Sequence, residues 1–287
     1  MSVKIEASEG GMPHDKMLGI GLIGALLCLY LTYLNNLMGT DFFAFFGGLA
    51  AVAALWWGTD SIKKLCSYGI GTGVPSAGMI ALGSGVIAMV FATKLAHISP
   101  LLVPIGCVII AAIIGVVLGF VSDNVLNMNI PVMLRMLTEL TVVGSLVMLG
   151  FTAMVSGTFT FEGLITGSSS FMGVEMISYG PSVVGGCVLA TIFILGGIAI
   201  QHPFNACLGP DESWDRTQMC ATECGFLSMI GIAVMSLAFL SLAAVIVSLI
   251  IAVLGWAWSF NELIKLSKRD AYDWLDAEPI REVGGDS

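Results

Sequence analysis

Long apolar stretches separated by short polar connections set the pattern of this chain. Seven runs stand out, roughly 17–37, 42–59, 76–96, 99–121, 132–155, 181–201 and 225–258. A helix needs about 17–25 apolar residues to cross a bilayer, and only helices or closed barrels satisfy every backbone group in hydrocarbon. The runs are too long and continuous for barrel strands. They predict an all-α fold, a polytopic transmembrane helical bundle of about seven spans (six to eight). Trp56 and Trp57 close the short second run where an interfacial aromatic belt would lie. The last run carries no charge from Gly225 to Phe260. As one helix it exceeds the hydrocarbon thickness and must tilt or protrude. Folding it into a hairpin would give eight spans, yet its middle, MSLAFLSLAAVIVS, holds no Gly, Pro or Asn to turn on. The domains read as a polar leader at 1–16, a membrane region at 17–260 and a polar tail at 261–287.

Composition supports the pattern: 57% of the residues are hydrophobic and only 11% charged, too few to cover a soluble domain. The net charge of −9 and 11 scattered Lys and Arg residues exclude nucleic acid as a partner. The leader MSVKIEASEGGMPHDK lacks the form of a cleaved signal peptide. Seven Cys in such a chain read as small apolar residues rather than a disulfide framework.

Charge also orients the chain. With the N-terminus in the cytoplasm, Lys4, Lys16, Lys63, Lys64, Arg135 and Arg216 lie inside and Lys94 outside. Seven spans would put Lys265, Lys268, Arg269 and Arg281 outside and eight would return them, so the side of the tail stays open. YGIGTGVPSAG (68–78) and ISYGPSVVGG (177–186) each set a Pro-Ser pair ahead of an apolar helix, where Pro suits the first turn. They fit either two ordinary connections or an inverted three-helix repeat spanning 42–121 and 132–258. Ala111, Gly115 and Gly119 form a small-xxx-small face suited to close helix packing.

On the assigned inner side lie the connections 58–75, 122–131 and 202–223, which hold most of the loop polarity. Arg135 and Glu139 are four apart and share a helix face. They read either as a cation gate, with Arg135 open to an anion, or as a local ion pair at the lipid boundary. Asp123, Asn124, Asn127 and Asn129 offer oxygen ligands for Na⁺, against the simpler reading as turn and cap residues. His202, Cys207, Cys220 and Cys224 form H-x4-C-x12-C-x3-C, whose spacing is no standard zinc pattern; structural cysteines are the stronger reading. Asp211, Glu212 and Asp215 read as a solvated acidic loop or a dock for cations or a basic partner. The chain holds no P-loop, no dinucleotide fingerprint and no D-x-H-x-x-G pattern of the kind that holds a corrinoid cobalt.

The stretch IAIQHPFNACLGPDESWDRTQ after the sixth run, set among membrane helices and behind a polar leader, resembles the C subunit of tetrahydromethanopterin S-methyltransferase. Its most specific part is QHPFNACLGPDE, Gln201 to Glu212. The resemblance implies a multi-pass cell-membrane component of the complex that moves a methyl group from methyl-tetrahydromethanopterin to coenzyme M in methanogenesis. It further implies that the transfer drives Na⁺ out of the cell. The corrinoid would sit on a partner, the A subunit, with no cofactor bound by this chain alone. The D and E subunits are the implied membrane neighbours, enclosing a cytoplasmic cavity that leads to the ion pathway.

Under this resemblance Arg135, Arg216, His202 and Asn205 become candidate contacts to coenzyme M, since Arg suits a multi-oxygen anion such as its sulfonate. Glu139, Asp123, Asn124, Asp211 and Glu212 become candidates for the sodium pathway, and no catalytic residue is assigned. The competing readings are a stand-alone secondary transporter with an inverted repeat and a structural membrane scaffold. Copurification with a corrinoid protein separates the first reading from the transporter.

Overall fold

A computed structural model describes residues 12–66, 68, 74–159, 170–171, 174–175, 180–207 and 213–276; the side chains of 66, 74–75, 170–171, 174–175, 180–184, 204–207 and 273–276 lie outside the description. The regular structure of the described residues is helical apart from a two-residue antiparallel pairing of Ser170–Phe171 with Val174–Glu175. The long helices are α1 His14–Thr32, α2 Phe45–Cys66, α3 Val74–Thr93, α4 Leu102–Phe120, α5 Met133–Ser156, α6 Gly180–Cys207, α7 Trp214–Met235 and α8 Leu242–Asp276. Seven of these, extended by short terminal turns, are long and apolar enough to cross a membrane. The other, α2, is 22 residues long, about 33 Å at the helical rise. It carries Asp60, Lys63 and Lys64 in its second half.

The centre is α5. Every residue from Glu139 to Val155 is buried, as expected for a helix that is apolar on all sides. The helices α2, α3 and α4 pack around it, α1 lies on α2, α6 lies on α3 and α7, and α8 packs outermost on α7. Close approach depends on glycine. A Cβ on Gly144 would sit 2.3 Å from the Ala81 carbonyl oxygen, and one on Gly115 would sit 2.5 Å from Thr138 Cα. The expected small-residue face of α4 therefore packs directly on α5. Outward stripes such as Ile105, Ile109 and Ile113 on α4, or Ile246, Ile250 and Leu254 on α8, are exposed and apolar. That is the surface a bilayer requires and water does not tolerate.

Three sequence expectations change, beside the extension of the second run: 58–66 is helical as part of α2, and Trp57 is buried rather than interfacial. The run 225–258 is not one tilted helix. It breaks at 236–241, where a 3₁₀ turn Ser236–Ala238 separates α7 from α8. The turn is set from far along the chain: the Asp41 carboxylate accepts hydrogen bonds from the backbone N–H and the hydroxyl of Ser241, at 2.7 Å for the hydroxyl. Ser241 Oγ in turn accepts from Ala244 N–H at 3.4 Å in the first turn of α8. The interval 132–258 consequently contains α5, α6, α7 and the first half of α8.

Second, His202 and Pro203 do not start a loop. The helix α6 continues through Pro203 to Cys207, so only 208–213 separate it from α7. Third, the tail's side is fixed relative to the rest. Ser213 Oγ donates to Asp270 Oδ2 at 2.9 Å, and Arg216 lies 3.7 Å from the same carboxylate. Lys63 at the end of α2 donates to Thr217 at 3.4 Å and stands over the Trp214 ring at 4.9 Å. The charged end of α8 thus returns to the end of the bundle that holds the start of α7 and the end of α2. Pro75 and Pro181 occupy the second positions of α3 and α6, in the first turn as expected.

Candidate functional site

Three helices bring titratable side chains together at this end. Pro13, with φ −53° and ψ 136°, precedes α1 and leaves His14 as its first helical residue. Asp60 and Ser61 lie in the later turns of α2, one turn beyond Trp57. Glu139 lies in the second turn of α5, one turn beyond Arg135. His14 Nδ1 meets Asp60 Oδ2, and His14 Nε2 lies 2.9 Å from the Glu139 carboxylate. Glu139 also accepts from Ser61 Oγ at 2.7 Å, Trp57 Nε1 at 3.3 Å and Arg135 Nε at 2.9 Å. The other arm of Arg135 reaches the exposed Asp15 carboxylate.

The core of this cluster is dry: His14 is 7% exposed, Asp60 1% and Glu139 6%. Isolated buried charges are costly, so their balance matters. Each contact between a ring nitrogen and a carboxylate oxygen requires one proton between the two atoms. The triad therefore holds two protons, one more than a neutral imidazole supplies. Two carboxylates with that extra proton carry a net charge of −1, which Arg135, shared with Asp15, offsets in part. The cluster is thus a buried polar plug at one end of an apolar bundle, with the Glu139 carboxylate at its centre.

The residues singled out from the sequence scatter around this plug. Arg135 and Glu139 belong to it, and their expected i,i+4 contact forms. Arg216 pairs with Asp270 instead, half-buried at the start of α7. Asp123 accepts from Ile130 N–H at 3.1 Å, and Asn124 donates to the Phe120 carbonyl at 3.2 Å. Asn127 and Asn129 adopt left-handed backbone at φ 52° and 51°, so this connection is shaped by Asx side chains turning the chain. His202 is exposed near the end of α6. It lies beside a cavity of about 350 Å³, lined also by Gln201, Phe193 and Met79.

Asn205 and Cys207 fall in α6, outside the described side chains, and Asp211 and Glu212 lie outside the described residues. Cys220 and Cys224 are buried one turn apart on α7, and Asp215 is exposed. Among the described residues no group of three His, Cys, Asp or Glu is arranged to hold a metal ion.

Sequence reasoning misses His14, Asp60, Ser61 and Trp57, since His14 reads as part of the leader and Asp60 and Ser61 as part of a connection. A signal is present nonetheless: the orientation that groups Lys63 with Arg135 also puts His14, Asp60 and Glu139 at one level of the bundle.

A bundle of membrane-length helices with most of its charged side chains gathered at one end defines a polytopic helical membrane protein. The family model for the C subunit of tetrahydromethanopterin S-methyltransferase matches residues 1–279. The C subunit of Methanosarcina acetivorans is 39% identical over 265 residues, covering 92% of this chain and 91% of the relative. That of Methanosarcina barkeri is 37% identical over 265 residues with the same coverage, and that of Methanocaldococcus jannaschii 34% over 262, covering 90% of each. With similarity along nearly its whole length, the chain belongs to the family of tetrahydromethanopterin S-methyltransferase C subunits, and so to the components of a methyltransferase complex. The family expected from QHPFNACLGPDE is the one found.

Proposed function

We propose that this chain is an integral cell-membrane component of a Na⁺-translocating methyl-tetrahydromethanopterin:coenzyme M methyltransferase. In this reading it works beside the membrane-embedded D and E subunits, while a corrinoid on the A subunit carries the methyl group. The chain itself contributes to the cytoplasmic mouth through which Na⁺ enters, and methyl transfer to coenzyme M supplies the energy. A partner can drive such a step only by binding two states of the membrane part with different affinity. The observation that carries the reading is Glu139, a buried carboxylate at the mouth of the bundle, ringed by side chains from three helices. Intramembrane carboxylates are costly and mark ion paths when they face the bundle interior.

The purified complex reconstituted into vesicles tests it. Glu139→Asp and Glu139→Gln variants are expected to lose most Na⁺ uptake, about tenfold or more, while methyl transfer and assembly of the complex persist. Uptake at the level of the unaltered complex in both variants would contradict the role of Glu139.

A further inference from the structure

A second carboxylate lies at membrane depth, outside the cluster. Glu223 sits nine residues into α7, about 13 Å along the axis. Trp256 Nε1 of α8 donates to its Oε1 at 2.7 Å, and Cys224 Sγ lies 3.6 Å from its Oε2. Among the described residues no Lys, Arg or His forms an ion pair with it. It is half-buried on the outward side of α7, one turn from Leu227, which is 49% exposed. On α8, Trp256 stacks on Phe260 with ring centroids 5.5 Å apart, and Phe260 is itself exposed. The carboxylate therefore stands on a surface that is otherwise apolar and aromatic, with one indole and one weak thiol as its donors.

Hydrocarbon cannot solvate a carboxylate there, and an anionic headgroup would repel it. A cation on a neighbouring protein helix meets both conditions. We propose that the outward face of α7 and α8 around Glu223 is the seat of a neighbouring membrane protein of the complex, which brings a Lys or Arg side chain to this carboxylate. The inference rests on the reading of the chain as part of a complex, and it adds the surface by which the chain docks. The aromatic pair Trp256–Phe260 and Leu227 surround the charge with apolar surface, which a docked neighbour would close against water.

The test uses the native complex, isolated in detergent from cells expressing variants of this chain. Glu223→Gln keeps an acceptor for the Trp256 indole and removes the charge. It is expected to lower the amount of the neighbouring membrane protein retained after a wash at raised detergent by about tenfold, and Glu223→Lys to abolish retention. A photoreactive residue at Leu227 is expected to give an adduct with that neighbour. Retention unchanged in Glu223→Gln, or adducts at Leu227 with lipid and detergent alone, would overturn the docking surface. The unaltered chain is the control: if it purifies with no other protein, the complex reading itself fails.

Discussion

Glu139 accepts hydrogen bonds from side chains on α1, α2 and α5, and His14 is the only one of these donors that also reaches Asp60. This gives His14 an effect out of proportion to its size. His14→Ala would leave two buried carboxylates without the imidazole ring that bridges them, and breaking such a cluster costs about 3–5 kcal/mol. The expected result is a clear fall in the thermal midpoint of the detergent-solubilised complex. An unchanged midpoint would mean that α1 is held by its apolar contacts alone. Lys16, two residues further on, is exposed and provides the comparison: Lys16→Ala is expected to leave the midpoint where it is.

Among the elements, the break between α7 and α8 is the instructive case. Nothing in MSLAFLSLAAVIVS announces a turn, because no residue in it is a helix breaker. The information lies about two hundred residues away, in Asp41, whose carboxylate holds Ser241 at the start of α8. Asp41→Ala should therefore cost about 1 kcal/mol, as loss of a helix cap does, and speed amide exchange over 236–245. Exchange unchanged in that window would show that the turn forms without its clamp.

The contrast with α4 shows what a local pattern can reveal. Ala111, Gly115 and Gly119 recur at a spacing that puts them on one helical face, and that face packs on α5. Likewise Arg135 and Glu139 had to meet, because four residues make one turn. The partners of Glu139 from α1 and α2 depend on tertiary packing, and so stay hidden among residues that read as leader and loop.

At the scale of the whole molecule, hydropathy conveys the fold class and nearly all the spans. It misses the parity of the crossings, which turns on a single unannounced bend. With α8 counted separately from α7, the described helices traverse the bundle an even number of times. The start of α1 and the end of α8 then share one end with the His14–Asp60–Glu139 cluster. Lys63, Lys64, Arg135, Arg216, Lys265, Lys268 and Arg269 all collect there. This agrees with the positive-inside rule more fully than an odd number of spans would. That concentration of polar side chains at one end underlies the cytoplasmic mouth proposed for the complex.

The most direct test is sidedness. In a chain whose native cysteines are replaced, a single cysteine is placed at Lys16, Lys265 or Asn36, all exposed in the structure. Each variant is then labelled in sealed, oriented vesicles with a reagent that cannot cross the membrane. Lys16→Cys and Lys265→Cys should react from the same face, and Asn36→Cys only from the opposite one. Labelling of the first two from opposite faces would contradict the even-span bundle and the shared mouth built on it.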